Sequence, residues 1–229
     1  MQLYNDVAPN WWQPNSPLAG LKLMNPHRFR YFDRFIQGWE GLEVLDVGSG
    51  GGFVSEFLAE RGVRVSGIDP AQMAVVAARE HAEQSGFHIN YQHGAAEKLP
   101  YGSAVFDAVV CVDVLEHVSS LEQSIAEIAR VTKPGGYFFF DTINRSIFSY
   151  LFMITLMENV LGEIPKGAHD WKLFIKPDEL ISLLERYGFT DIEISGFNIW
   201  GRDRKNDALI VQIGGTQQVM YIGKARRQK

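Results

Sequence analysis

Short runs of consecutive apolar residues alternate along most of this chain with longer segments in which apolar residues recur every three or four positions. The runs Glu43–Val47 (EVLDV), 63–69 (VRVSGID), 89–93, 106–112 (FDAVVCV) and 137–142 (YFFFDT) predict buried strands. The segments 53–60, 71–85 and Leu121–Val131 predict helices between them. Such alternation predicts an α/β fold with a mostly parallel sheet covered by helices on both faces. Residues 1–25 are rich in Asn, Pro and Trp and predict an irregular N-terminal arm, with a helix starting at Pro26. In the last third, 147–161 and 177–187 predict helices, and 192–200 and 219–225 predict an antiparallel edge pair. Residues 209–213 fit a further strand or part of a long hairpin.

Composition narrows the function classes. The chain has 229 residues, 46% hydrophobic and 21% charged, which suits one compact domain over 1–229. Its net charge is −5, so no broad positive field attracts nucleic acid. The single cysteine, Cys111, cannot form an intramolecular disulfide, and a reducing, cytoplasmic location is expected. The first residues lack a charged and then apolar leader. The longest apolar stretch, 147–161, is too short and too polar to span a membrane.

The turn after the first strand reads Asp46-Val47-Gly48-Ser49-Gly50-Gly51-Gly52-Phe53. Glycines there let a ligand approach the backbone at a helix N-terminus. Gly48 and Gly50 fit a dinucleotide fingerprint, but Phe53 stands where its third glycine belongs, which argues against an NAD-dependent reductase. Asp46 beside the turn suits a cationic amino group better than a pyrophosphate. Asp69 ends the second strand, where a carboxylate accepts both hydroxyls of a ribose.

The string LDVGSGGG, then Gly67-Ile68-Asp69, Cys111–Val118 (CVDVLEHV) and Lys133-Pro134-Gly135-Gly136 resemble the motifs of class I S-adenosylmethionine-dependent methyltransferases. Trp11-Trp12, Met24-Asn25-Pro26-His27-Arg28, 141–145 (DTINR), 164–170 (IPKGAHD) and 174–177 (FIKP) resemble, more selectively, the 3-demethylubiquinol 3-O-methyltransferase family. The resemblance implies a Rossmann-like class I methyltransferase fold: a mostly parallel seven-stranded sheet with an antiparallel edge strand. It implies S-adenosyl-L-methionine as cofactor and a lipophilic, catechol-like polyprenyl quinol precursor as substrate. On matching positions it implies that Arg28 contacts the cofactor's carboxylate, Gly48 its methionine part, Asp69 its ribose, Ala96 its adenine edge and Val112 its body.

Asp113, Glu116 and His117 stand at i, i+3 and i+4, which a helical turn would place on one face. Two carboxylates suit Mg²⁺, and the histidine admits Zn²⁺; hydrogen bonding without a metal is the alternative. A phenol with a pKa near about 10 needs help to lose its proton. His169, beside Asp170, is the candidate general base, with His117 in reserve where no metal binds. The inserted segment 146–176 is read as a lid. Its apolar helix and the basic tail Lys224, Arg226, Arg227 and Lys229 suit peripheral attachment to a membrane surface. Two other functions stay open: methylation of a different phenol, carboxylate or lipid, and cofactor binding without turnover. Oligomeric state is not legible.

Overall fold

A computed structural model describes residues 2–14, 16–161, 170–203, 205–206 and 208–229. Of the expected lid over 146–176, residues 162–169 lie outside this set, and the candidate base His169 is among them.

The strands are β1 (Glu43–Val47), β2 (Arg64–Asp69), β3 (Asn90–His93), β4 (Phe106–Cys111), β5 (Thr132–Ile143), β6 (Phe189–Asp203), β7 (Ala208–Ile213) and β8 (Met220–Arg227). They form one sheet in the order β3-β2-β1-β4-β5-β8-β6-β7. The first five pair in parallel. Strand β8 inserts antiparallel between β5 and β6, and β7 folds back on β6 as a hairpin. The expected α/β class holds, with eight strands rather than seven. The additional strand is 208–213, whose alternation of half-buried and exposed positions was the weakest strand signal.

Helices α1 (Gln2–Val7), α2 (Ala19–Phe32), α3 (Phe53–Ala59), α4 (Gln72–Gln84), α5 (Leu121–Val131), α6 (Ile147–Ser149) and α7 (Pro177–Arg186) cover the sheet. One buried cluster joins Leu45, Val109 and Phe138 to Ile125, Ile128 and Leu180 on one face. The other joins Val44, Ala108 and Phe139 to Phe29, Phe32 and Leu58. Alternate residues of the central strands thus feed opposite layers, as the pleat requires. After α6 the chain continues through Leu161 in π-helical winding.

Three local expectations are corrected. The arm is not irregular: α1 and a 3-10 turn (Ala8–Asn10) precede α2. Helix α2 starts at Ala19, with Pro26 inside it. Burial of Met24, Asn25, Arg28, Phe29, Tyr31 and Phe32 outweighs the hydrogen bond that Pro26 cannot donate. The basic tail is not wholly free: Lys224 lies buried in β8 with its Nζ 2.7 Å from Asp191 Oδ2 and donating to Asp191 O at 2.6 Å, while Lys229 is exposed. Arg226 and Arg227 donate to carbonyls of Gly135, Ala129 and Gly188.

Candidate active site

The carboxyl ends of β1, β2, β4 and β5 bring together most of the residues singled out in the sequence. Between β1 and α3 the backbone is left-handed at Gly48 (φ +76°), Gly50 (φ +51°) and Gly52 (φ +99°). A Cβ on Gly48 would lie 2.2 Å from Val114 Cγ2, so only glycine fits this approach to the β4 end. Asp69, closing β2, ties the turn down. Its Oδ2 accepts the Gly50 N–H at 2.8 Å and its Oδ1 accepts the Ala71 N–H at 2.7 Å. Each oxygen keeps a further acceptor position. Burial raises the Asp69 pKa, and these two N–H groups pull the other way.

Asp46 lies below the turn rather than in the open site. It is buried and accepts the Ser55 hydroxyl at 2.6 Å through Oδ2. Burial pushes its pKa up to about 7. Val112 and Ala96 are buried at the ends of β4 and in the loop after β3.

Arg28 projects from α2 to the carboxyl ends of β4 and β5 and is 1% exposed. Its Nε donates to Asp141 Oδ2 at 2.6 Å and its Nη2 to Asp113 Oδ2. Burial alone would lower the Arg28 pKa; the carboxylates of Asp113 and Asp141 outweigh it and raise it. Asp141 Oδ1 also accepts the Asp113 N–H at 2.8 Å. Asp113 has φ +55°, a conformation uncommon for a side-chain-bearing residue and best tolerated by Asn and Asp.

This turn is why Asp113, Glu116 and His117 do not share one face. A regular helical turn would stack them, but the left-handed Asp113 precedes a 3-10 turn (Leu115–His117) and aims its carboxylate at Arg28. Glu116 is buried and accepts the Thr142 hydroxyl at 2.7 Å. His117 Nε2 lies 3.5 Å from the Tyr4 hydroxyl. Among the described residues no group of three or more His, Cys, Asp and Glu is placed to hold a metal ion. The three residues as arranged do not fit Mg²⁺ or Zn²⁺.

The arm contributes residues that sequence reasoning did not place here. The Trp11 indole lies flat on the turn: a Cβ on Gly51 would meet Trp11 Cγ at 2.3 Å, and one on Gly50 would meet its Cζ2 at 2.5 Å. Trp11 Nε1 is buried and finds no hydrogen-bond partner among the described residues. Trp12 Nε1 donates to Gly51 O at 2.8 Å, and Asn5 Oδ1 accepts the Met73 N–H at the start of α4. Tyr4 is half-buried near Glu116, Asp113 and Asp69; burial first, then these charges, raise its pKa. The Trp11-Trp12 pair was the available signal. A glycine cradle closed by an indole with an orphaned N–H, flanked by Asp69 and Arg28, fits a ligand carrying a ribose and a carboxylate.

A model of the methyltransferase domain matches residues 45–140. Ubiquinone biosynthesis O-methyltransferase from Idiomarina loihiensis is 41% identical over 194 residues, covering 84% of this chain and 80% of that protein. The protein of the same name from Azoarcus sp. is 41% identical over 197 residues, covering 86% and 84%. Among solved structures, a SAM-dependent methyltransferase from Aquifex aeolicus superposes with a TM-score of 0.66 at 19% identity, covering 97% of each chain. A SAM-dependent methyltransferase from Thermotoga maritima, described as a possible histamine N-methyltransferase, gives 0.63 at 19%, covering 92% and 95%. At such identities these two speak for the fold alone.

Proposed function

The chain belongs to the ubiquinone biosynthesis O-methyltransferase family and is an S-adenosylmethionine-dependent O-methyltransferase; from that premise we propose how its own residues serve the reaction. The acceptor we infer is a catechol-like polyprenyl quinol precursor. The observation that carries the cofactor assignment is the left-handed turn at Gly48, Gly50 and Gly52, bound to Asp69 and roofed by Trp11.

S-adenosylmethionine supplies a methyl group already activated on a sulfonium, so the chain's work is alignment and proton removal. Asp69 would accept the ribose hydroxyls at its remaining acceptor positions. Arg28 would take the cofactor's carboxylate, for which its planar fork is suited. Gly48 and Gly50 would let the methionine part lie against the backbone. Ala96 and Val112 would line the adenosine. Asp46, beneath the turn, would add negative potential under the cofactor's cationic groups.

His169 is the proposed general base for the phenolic proton. Asp170, beside it, gives Oδ1 to the Lys172 N–H at 3.0 Å. A specific observation favours His117 as the second reading. Burial lowers its pKa, which leaves the ring neutral and able to accept a proton near pH 7. No step is routed through Mg²⁺ or Zn²⁺, since Glu116 is buried and accepts from Thr142, and among the described residues the three side chains are not gathered as a ligand set. No described helix is long and apolar enough to cross a membrane. We propose that the protein works in the cytoplasm and meets its lipophilic acceptor at the membrane surface, through the exposed side chains of 147–151.

The deciding experiment measures methyl transfer from labelled S-adenosylmethionine to a short-tailed demethylubiquinol, with and without EDTA, in the wild type and His169→Ala. Turnover that survives EDTA and is lost in the variant supports the reading. Turnover abolished by EDTA and restored by Mg²⁺ or Zn²⁺ overturns the metal-free part. Cofactor binding with no transfer overturns the acceptor, which a panel of other phenols, carboxylates and lipids would then identify.

A further inference from the structure

Arg28 is held by two carboxylates that differ in their freedom to leave. Asp141 is fully buried, and both of its oxygens are committed: Oδ2 to Arg28 Nε and Oδ1 to the Asp113 N–H. Releasing it would leave the Asp113 N–H without its acceptor as well as a buried charge. The Asp113 side chain is 21% exposed, and its bond to Arg28 Nη2 runs through a single oxygen. A third hydrogen-bond partner of the guanidinium is neutral, Asn25 Oδ1, 3.4 Å from Nη1.

The charge balance limits what can enter. One guanidinium and two carboxylates already give the cluster a charge of −1. A third carboxylate joining them would leave two uncompensated negative charges away from water, which is far costlier than exchanging one carboxylate for another. We propose that the cofactor's carboxylate displaces Asp113 from Arg28, while Asp141 stays as the fixed partner that positions the guanidinium. Asp113 is therefore a competitor of the cofactor in the unliganded protein, and Asp141 is a positioning residue. The inference rests on the assignment of Arg28 as the carboxylate anchor. It goes further by giving the two neighbouring aspartates opposite effects on affinity.

The test is calorimetric titration of the full chain with S-adenosylhomocysteine and with 5′-methylthioadenosine, which has the same nucleoside and no carboxylate. The variants are Asp113→Asn and Asp141→Asn, with thermal melts of each unliganded protein. Asn suits position 113 because it tolerates the left-handed backbone. Asp113→Asn is expected to tighten S-adenosylhomocysteine binding by roughly tenfold, the worth of one moderate ionic contact, and to leave methylthioadenosine binding unchanged. Asp141→Asn is expected to weaken S-adenosylhomocysteine by about tenfold or more. Weakening by both variants would mean purely structural roles and would overturn the proposal. So would tightening of both ligands alike, or no change in Asp113→Asn. Wild-type protein that binds the two ligands equally well would instead overturn the anchor role of Arg28, whatever the variants do.

Discussion

Arg28 Nε donates to Asp141 Oδ2 at 2.6 Å, joining a helix near the start of the chain to the end of β5, 113 residues later. The contact couples fold and site, because the same arginine is the proposed cofactor anchor. Arg28→Met would keep the volume and leave Asp113 and Asp141 facing each other without a cation. Breaking a buried pair from one side costs about 3–5 kcal/mol. A loss of this size in urea unfolding of the unliganded protein is the expected result; a loss below about 1 kcal/mol, the scale of a surface pair, would show that solvent reaches the cluster.

The glycine turn gives a matched pair of substitutions. Gly48 and Gly86 share φ +76°, so alanine pays the same backbone penalty at each, about 1–2 kcal/mol. At Gly86, past the end of α4, an added Cβ meets nothing within 4 Å. At Gly48 it runs into the Val114 side chain at 2.2 Å. Gly48→Ala is therefore expected to raise the KM for S-adenosylmethionine at least tenfold, with Gly86→Ala changing stability only. Equal kinetics in the two variants would remove the turn from the cofactor site.

Much of this frame was legible in the residues. Glu43–Val47 and Leu121–Val131 were bounded correctly because apolar runs and helical periodicity coincide there with turn residues. The arm was not legible, because its order comes from distant partners: Trp11 packs on Gly50 and Gly51, and Asn5 caps α4. Pro26 misplaced the start of α2, since a local signal for a first turn was overridden by the buried face around it. The strand predicted over 137–142 starts earlier, at Thr132, with a register shift against β4 between Phe106 and Ala108. Asp113, Glu116 and His117 misled most. Their spacing describes a helical turn, and a single left-handed residue dissolves that face. Asp141 carried no signal of its own role, because its importance lies in Arg28 and Asp113, which are distant in the chain.

Asp46 predicts a pH dependence of stability. Burial pushes its pKa up to about 7 from an ordinary value of 3.8. The folded state therefore binds its proton more tightly than the unfolded state does. This contribution is fully present below about pH 4 and is lost as pH rises through about 7. The shift corresponds to roughly 4 kcal/mol at most. Unfolding free energy of the unliganded protein should fall between pH 5 and pH 8. Asp46→Asn, whose side-chain oxygen still accepts from Ser55, should flatten the slope. An unchanged slope in the variant would assign the dependence to other groups.

Membrane attachment should depend on apolar contact more than on charge. Ile147, Phe148 and Leu151 are 67%, 51% and 53% exposed, and Leu173 is exposed as well. Burying large side chains of this kind is worth about 1.5–3 kcal/mol each at full transfer from water. The basic residues that would add electrostatic attraction are few: Lys224 is buried against Asp191 and Glu193, which leaves Arg226, Arg227 and Lys229 to supply it. Flotation with vesicles should therefore persist when salt is raised from about 0.1 M to 0.5 M, a range that shortens electrostatic reach well below 10 Å. The double variant Phe148→Glu, Leu151→Glu should lose flotation while keeping S-adenosylhomocysteine affinity, because both side chains are exposed and the glycine turn and the Arg28 cluster are built from other residues. Flotation abolished by salt and indifferent to the double variant would transfer attachment from this helix to a charged surface elsewhere on the chain.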